Sequence, residues 1–402
     1  MTCGAVFSPQ AGVNLCPHCK KEGILDVEYD YPAIRRVLTR EALAQNPERS
    51  MWRYLPLLPV EQTARYEYLR VGATPLYRPK RLAEAVGLDT LWIKDDGQNP
   101  TASLKDRASA LAVQRALESG QQAVACASTG NAASSLAGNA AAAGLSSYIF
   151  IPERAPEGKL AQLLIFGATV IMVRGNYQDA FELSAKAIER YGWYNRNAAI
   201  NPYLSEGKKT VTLELCEQLN WQVPDWVVLS VGDGCTIAGA WKGFLDLYAI
   251  GLIDRLPKFA GIQAQGCCPI VRSFQSGRPL AWMEENTLAD SIAVGAPRNP
   301  RKALSAIESS HGTMTTVTDD EILAAMKLLG NTAGIFGEPA GVAGLAGVRR
   351  LVADGVIGRR ETVATIITGN GLKDTKNAQR AAGAPIRIDP DLGALAAILD
   401  KK

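Results

Sequence analysis

The sequence predicts an α/β protein built around largely parallel sheets. Short apolar runs, β-branched or aromatic in part and bounded by Gly, Pro, Asp or Ser, alternate with longer helical patterns from Leu88 onward. Alternation of that kind arranges helices in layers over parallel strands. The 402 residues are 47% hydrophobic and 21% charged, enough to bury a large core, and the length suits two or three domains.

The first 25 residues are short of apolar periodicity, turn-rich and Cys-containing. Residues 30–70 are helical and aromatic, punctuated by Pro56 and Pro59. Strands are expected at 91–93, 123–127, 148–151, 169–173, 226–231, 259–264 and 363–367, and helices between them at 106–119, 132–143, 178–191, 206–220 and 319–329. The Ala-rich stretch 132–144 reads as a close-packed helix. No internal repeat and no low-complexity tail is evident.

Composition excludes several function classes. Lys plus Arg is 43 against 40 for Asp plus Glu, a formal charge of +3, without the basic excess of a nucleic-acid binder. No run approaches ~18 consecutive apolar residues, so no membrane span is expected. The start, MTCGAVFSPQ, lacks a basic region followed by an apolar core, and a cytoplasmic location is the simplest expectation. Eight cysteines in a chain this long do not make a disulfide framework, and most read as small buried residues. Two histidines, His18 and His311, make a His-centred hydrolase or metalloprotease hard to build.

In open α/β sheets ligands bind beyond the carboxyl ends of strands. Four segments there draw attention. Asn99-Pro100-Thr101-Ala102-Ser103-Leu104-Lys105-Asp106-Arg107 follows a strand and opens a helix. Asn99-Pro100-Thr101 reads as a turn and Ser103 as a helix cap, which puts Lys105 in the first turn. A cation there opposes the helix dipole, which lowers its pKa and makes the amine a better nucleophile toward an aldehyde. Ser128-Thr129-Gly130-Asn131 brings hydroxyls and an amide to a helix N-terminus, suited to a carboxylate or another anion. Ser230-Val231-Gly232-Asp233-Gly234-Cys235-Thr236 is a Gly-rich turn before a helix, an anion nest fitting a phosphate. Its glycine spacing is not G-x-G-x-x-G, which sets aside a dinucleotide reading. Thr368-Gly369-Asn370-Gly371-Leu372-Lys373-Asp374 follows the last strand.

The lysine segment resembles the N-P-T-G-S-F-K-D-R signature of fold-type II pyridoxal-phosphate (PLP) enzymes, in the threonine-synthase-like branch, with Ala102 for Gly and Leu104 for Phe. The other three loops are similar to that family in the same order. So are Thr74-Pro75-Leu76, the stretch Asn201-Pro202-Tyr203-Leu204-Ser205-Glu206-Gly207-Lys208-Lys209-Thr210, and Gly337-Glu338-Pro339-Ala340-Gly341, across about residues 70–375. The resemblance implies two doubly wound parallel-sheet domains. One is a large PLP-binding domain from residues 26–109 and 205–402, the other a smaller substrate-closing domain from 110–204. It implies Lys105 as the cofactor-bearing lysine and general base, and Ser128, Thr129 and Gly130 as the carboxylate site. Asn131 is implied on the ring hydroxyl, Gly232, Asp233, Gly234, Cys235 and Thr236 around the phosphate, and Thr368 at the pyridine nitrogen. A hydroxyl there favours elimination and replacement over transamination. A carboxylate beside a phosphate is unfavourable, so Asp233 is expected to face outward. A homodimer is implied as well.

The reaction implied is threonine formation from O-phosphohomoserine and water, with phosphate released. The runner-up is a β-elimination or β-replacement enzyme of the serine/threonine dehydratase, diaminopropionate ammonia-lyase or cysteate synthase type; an inactive binding scaffold is the remote alternative. The substrate is in either case a small amino acid. The family places Arg after N-P-Y to meet the substrate phosphate, but this chain has Leu204. Lys208, Lys209 and Lys242 are candidate substitutes, each read first as a surface residue.

Cys16-Pro17-His18-Cys19 forms a C-x-x-C knuckle with only Cys3 upstream, where a zinc ribbon would have two thiolates. A partner three residues earlier would fall before Met1. Cys3, Cys16 and Cys19 are therefore candidate zinc ligands of a degenerate or truncated ribbon, with bound zinc the less favoured outcome.

Overall fold

Residues 3–8, 13–19, 23–61, 68–153, 160–197 and 200–400 are described by the structure, a computed structural model. Ten strands lie among them: β1 (Leu76–Tyr77), β2 (Leu91–Asp95), β3 (Ala123–Ala127), β4 (Ser146–Pro152), β5 (Thr169–Val173), β6 (Tyr194–Asn195), β7 (Trp226–Ser230), β8 (Lys258–Ala264), β9 (Thr313–Val317) and β10 (Val363–Ile367). They form two sheets. The larger has the order β1-β2-β10-β7-β8-β9 and the smaller β5-β4-β3-β6. Every pairing is parallel except β1 with β2.

The strands at the middle of the sheets, such as Trp226–Ser230 and Val363–Ile367, are buried along their whole length. They read as continuous apolar runs because helices cover both faces of a parallel sheet. In the larger sheet Val227, Leu229, Phe259 and Ile366 enter one core, while Val228, Ile262, Val363 and Ile367 enter the core on the opposite face. Each such side chain taken from water contributes about 1.5–3 kcal/mol. The smaller sheet is covered in the same way, with Val124, Cys126 and Ile149 on one side and Ala127 and Phe150 on the other.

The elements expected between 91 and 173, and from 226 on, are found within a few residues of their expected limits. Three strands escaped the pattern: β1 and β6 have two residues each, and β9 (Thr-Met-Thr-Thr-Val) is too polar to read as an apolar run. Ser103 does not cap the helix Lys105–Glu118. Leu104 is the N-cap residue, without a side-chain hydrogen bond, and the buried Ser103 hydroxyl has no partner among the described residues. The entry to that helix is held instead by Asp106, whose carboxylate accepts from Thr101 N–H and Thr101 Oγ1, both at 2.7 Å.

No helix of the described residues is long and apolar enough to cross a membrane. In the N-terminal segment, residues 1–2, 9–12 and 20–22 of the expected knuckle lie outside the described ones. Its described part turns back on itself through a bridge between Leu15 and Ile24.

Candidate active site

The site forms where three neighbouring parallel strands end. β2, β10 and β7 lie side by side, and their carboxyl ends feed the Lys105 segment, the Thr368 loop and the Gly232 turn respectively. The first two are tied by an antiparallel bridge between Ser103 and Gly369. Leu104 N–H donates to Thr368 O at 2.9 Å and Asn370 N–H to Ala102 O at 3.1 Å. Ala102, where the resembling signature has Gly, stands at φ 65°, a left-handed conformation that an L-residue adopts at a cost of roughly 1–2 kcal/mol.

A cleft opens at this edge. Lys105, Lys208, Thr368 and the turn from Ser230 to Ile237 line it. Lys105 starts its helix, and burial foremost, then the nearby cationic Lys208, brings its amine down to about 8. Glu338 partly offsets this. A lysine that is neutral in quantity near pH 8 can attack an aldehyde or take a proton, work closed to an ordinary surface lysine. In protein stripped of cofactor, the rate of coupling to the cofactor's aldehyde should climb with pH and level off above about 8. A rise that continues towards 10.5, followed by absorbance in stopped flow, would contradict this perturbed amine.

The Gly232 turn supplies an anion site. Among the described residues none accepts a hydrogen bond from the amides of Gly232, Asp233, Gly234, Cys235 or Thr236, and the helix Cys235–Ala249 begins there. Gly234 sits at φ +92°, and a Cβ on it would lie 2.5 Å from the Asn299 carbonyl oxygen, so only glycine serves. Asp233 is turned away from the row: its carboxylate accepts the Arg298 amide at 3.1 Å. Unpaired amides ending at a helix N-terminus, in a cleft shared with a neutralisable lysine, fit an aldehyde-bearing phosphate ester.

A second cleft, about 960 Å³, adjoins the first through Ser291 and Ala340 and is lined by Thr129, Gly130, Asn131 and Glu338. Gly130 is the N-cap of the helix Asn131–Ala142. Ser128 takes a more local part, its hydroxyl accepting the Gly130 amide at 3.2 Å. Asn131 Nδ2 donates to Glu338 Oε1 at 2.6 Å.

Residues 68–369 match the family model described as pyridoxal-phosphate dependent enzyme. The chain belongs to that family. Pyridoxal phosphate is the cofactor of that family. Among curated relatives in the family, the threonine synthase of Methanocaldococcus jannaschii is 43% identical over 384 residues, 95% of this chain and 94% of the relative. The threonine synthase of Methanosarcina acetivorans is 44% identical over 396 residues, 98% and 96% of the two chains. A solved structure of diaminopropionate ammonia lyase from Escherichia coli superposes with a TM-score of 0.68 at 20% identity, covering 84% of this chain and 93% of the other, which speaks for the shared fold.

Sequence reasoning missed three groups at or near these clefts. Lys208, read as a surface residue, is 3% exposed and lines the cleft. Glu338 was matched in order but given no role; its neighbours in Gly-Glu-Pro-Ala-Gly were the available signal. Arg196 is buried and donates to Ser109 Oγ, its charge helps lower both Lys105 and Lys208, and nothing in its local sequence marks it. Lys209 and Lys242 are not at the cleft: Lys209 is held between Glu206 (2.6 Å) and Asp246 (2.5 Å), and Lys242 pairs with Asp246 at 3.3 Å. Leu204 packs with Ala108 and Ala112. His311 lies exposed in a turn.

The sulfur atoms of Cys3, Cys16 and Cys19 lie within 4.8 Å of one another, and His18 stacks edge-on against Phe7. Three thiols suit zinc in softness but fall one ligand short of a structural tetrahedron among the described residues, so no zinc ribbon is completed there.

Proposed function

We propose that this chain converts O-phosphohomoserine and water into threonine and phosphate. The observation that carries this reading is a neutralisable Lys105 sharing one cleft with a row of unpaired amides, in a chain whose near-full-length relatives are named threonine synthases. Bound pyridoxal phosphate supplies an electron sink for charge released at the substrate's α-carbon. The protein does the rest. The amides of Gly232 to Thr236 anchor the phosphate ester. Thr368, at the end of β10, presents a hydroxyl where a carboxylate would force protonation of a ring nitrogen. Thr129 and Gly130, at a helix N-terminus, receive the substrate carboxylate. Lys105 Nζ, once free, takes the α-proton and returns one as the product forms.

Residues 110–204, which contain the whole smaller sheet, act as the unit that closes over substrate. A homodimer in the cytoplasm belongs to the same proposal. The buried Leu204 favours keeping β-elimination as a second reading, because no guanidinium stands at the position where the family meets the substrate phosphate. A substrate panel separates the two. Release of phosphate with threonine from O-phosphohomoserine is expected, with little keto acid from serine, threonine or diaminopropionate; the reverse pattern would transfer the chain to the second reading.

A further inference from the structure

The helix Tyr203–Gln218 carries Leu204 and Lys208 one turn apart on the same face. Side chains on a helix lean towards its N-terminus, so a lysine at the second position reaches back over the turn that holds the first. Leu204 is spent on packing against Ala108 and Ala112. Lys208 is 3% exposed, lines the cleft with Lys105 and the Gly232 turn, and makes no ion pair among the described residues. Arg196 lies close enough to influence both lysines. It is 1% exposed and donates from Nε to Ser109 Oγ at 3.1 Å, while its buried Nη2 has no partner among the described residues.

Burying cations without an ion pair is unfavourable, and the fold keeps two of them here, with Asp233 near Lys208 and Asp106 near Arg196 offsetting only part of the cost of burial. The nearby carboxylates accept hydrogen bonds from other groups: Asp233 from the Arg298 amide, Asp106 from Thr101, and Glu338 from Asn131. The cofactor's phosphate is already matched by the amide row, so this positive charge is surplus until a second anion arrives. We propose that Lys208, with Arg196 behind it, forms the subsite for the substrate's phosphate group, standing in for the guanidinium that Leu204 cannot supply. The inference rests on the threonine-synthase reading for its substrate, but on the cleft alone for its anion. Burial and Arg196 hold the empty-site Lys208 below the ordinary lysine range, and an arriving dianion restores its full charge.

The test uses cofactor-loaded enzyme, in which the amide row is already filled. Calorimetric titration with inorganic phosphate should show one further, saturable site per chain. Lys208→Gln should weaken that binding and raise KM for O-phosphohomoserine by roughly tenfold or more, with kcat changed far less, while the cofactor's visible-edge absorbance band stays. Lys208→Arg should restore most of both. Phosphate affinity and KM that ignore Lys208→Gln would overturn the subsite. So would loss of the absorbance band with KM unchanged in whatever enzyme remains loaded, since Lys208 would then hold the cofactor's own phosphate. If the variants fail to fold, the absence of a saturable phosphate site in the unaltered holoenzyme is itself decisive against it. Phosphate binding through Lys208 without O-phosphohomoserine turnover would sink the substrate reading and leave the anion subsite standing.

Discussion

Lys105→Ala is expected to lower turnover by about 10³-fold or more, because in the proposed function one amine both carries the cofactor and moves the α-proton. The fold should survive the change. Lys105 is half-buried at a helix start, makes no ion pair among the described residues, and faces two other cations, Lys208 and Arg196. Removing it relieves repulsion, so the melting temperature should hold or rise. Borohydride reduction followed by peptide mass analysis should place the cofactor on Lys105 in the unaltered enzyme and nowhere in the variant. Among the described residues, Lys208 is the other amine lining this cleft and Lys373 lines the adjoining one, and either could compete. A trapped cofactor on Lys208, or a variant with near-normal turnover, would take the role from Lys105.

The parts of this site that could be read from sequence are those in which a short peptide does the positioning by itself. The Lys105 segment and the Gly232 turn each combine a strand end, a turn and a helix start within about ten residues, so local chemistry and place in the sheet are visible together. The direction of Asp233 was legible for the same reason, since a carboxylate cannot share an amide row with a phosphate. What stayed hidden depends on tertiary packing. Gly207 lets the Tyr203 helix meet the Lys105 helix so closely that a Cβ there would lie 2.2 Å from the Arg107 carbonyl oxygen. That approach decides that Lys208 enters the cleft while Lys209, its neighbour, points into the Glu206 and Asp246 pair. No periodicity argument separates two adjacent lysines on a helix buried on every side. Arg196 follows β6, a strand of two residues, and Ser103 loses its expected cap because Asp106 reaches Thr101 first.

The same packing makes Arg107 the residue whose loss should cost most in stability. Its guanidinium is wholly buried. Nε and Nη2 grip Asp96 at 2.7 and 2.9 Å, and Nη1 and Nη2 grip Glu214 at 2.7 and 2.8 Å. Thr210 and Thr74 accept at 3.0 and 3.2 Å. Lys94 closes the group on Glu214 at 2.8 Å, so two cations balance two carboxylates out of water. The four charges come from the end of β2, the turn after it, the Lys105 helix and the Tyr203 helix, so they fix the helix start that aims Lys105. Arg107→Leu leaves Asp96 and Glu214 facing Lys94 alone and should destabilise by about 3–5 kcal/mol. Arg107→Lys should recover little, since an ammonium cannot serve two carboxylates side by side. Burial alone would raise the Glu214 carboxyl, but Arg107 and Lys94 outweigh it and hold the group at about 2. A carboxyl held below its unfolded value near 4.5 stabilises the fold above that value, and the contribution drains away as pH falls towards 2. The gap between unaltered protein and Arg107→Leu in urea denaturation should therefore be widest near neutrality and narrow as the pH falls from about 5 to about 2. A gap below about 1 kcal/mol at pH 7, or one that widens in acid, would mean that the carboxylates find other partners and that the guanidinium is not what holds the Lys105 helix in place.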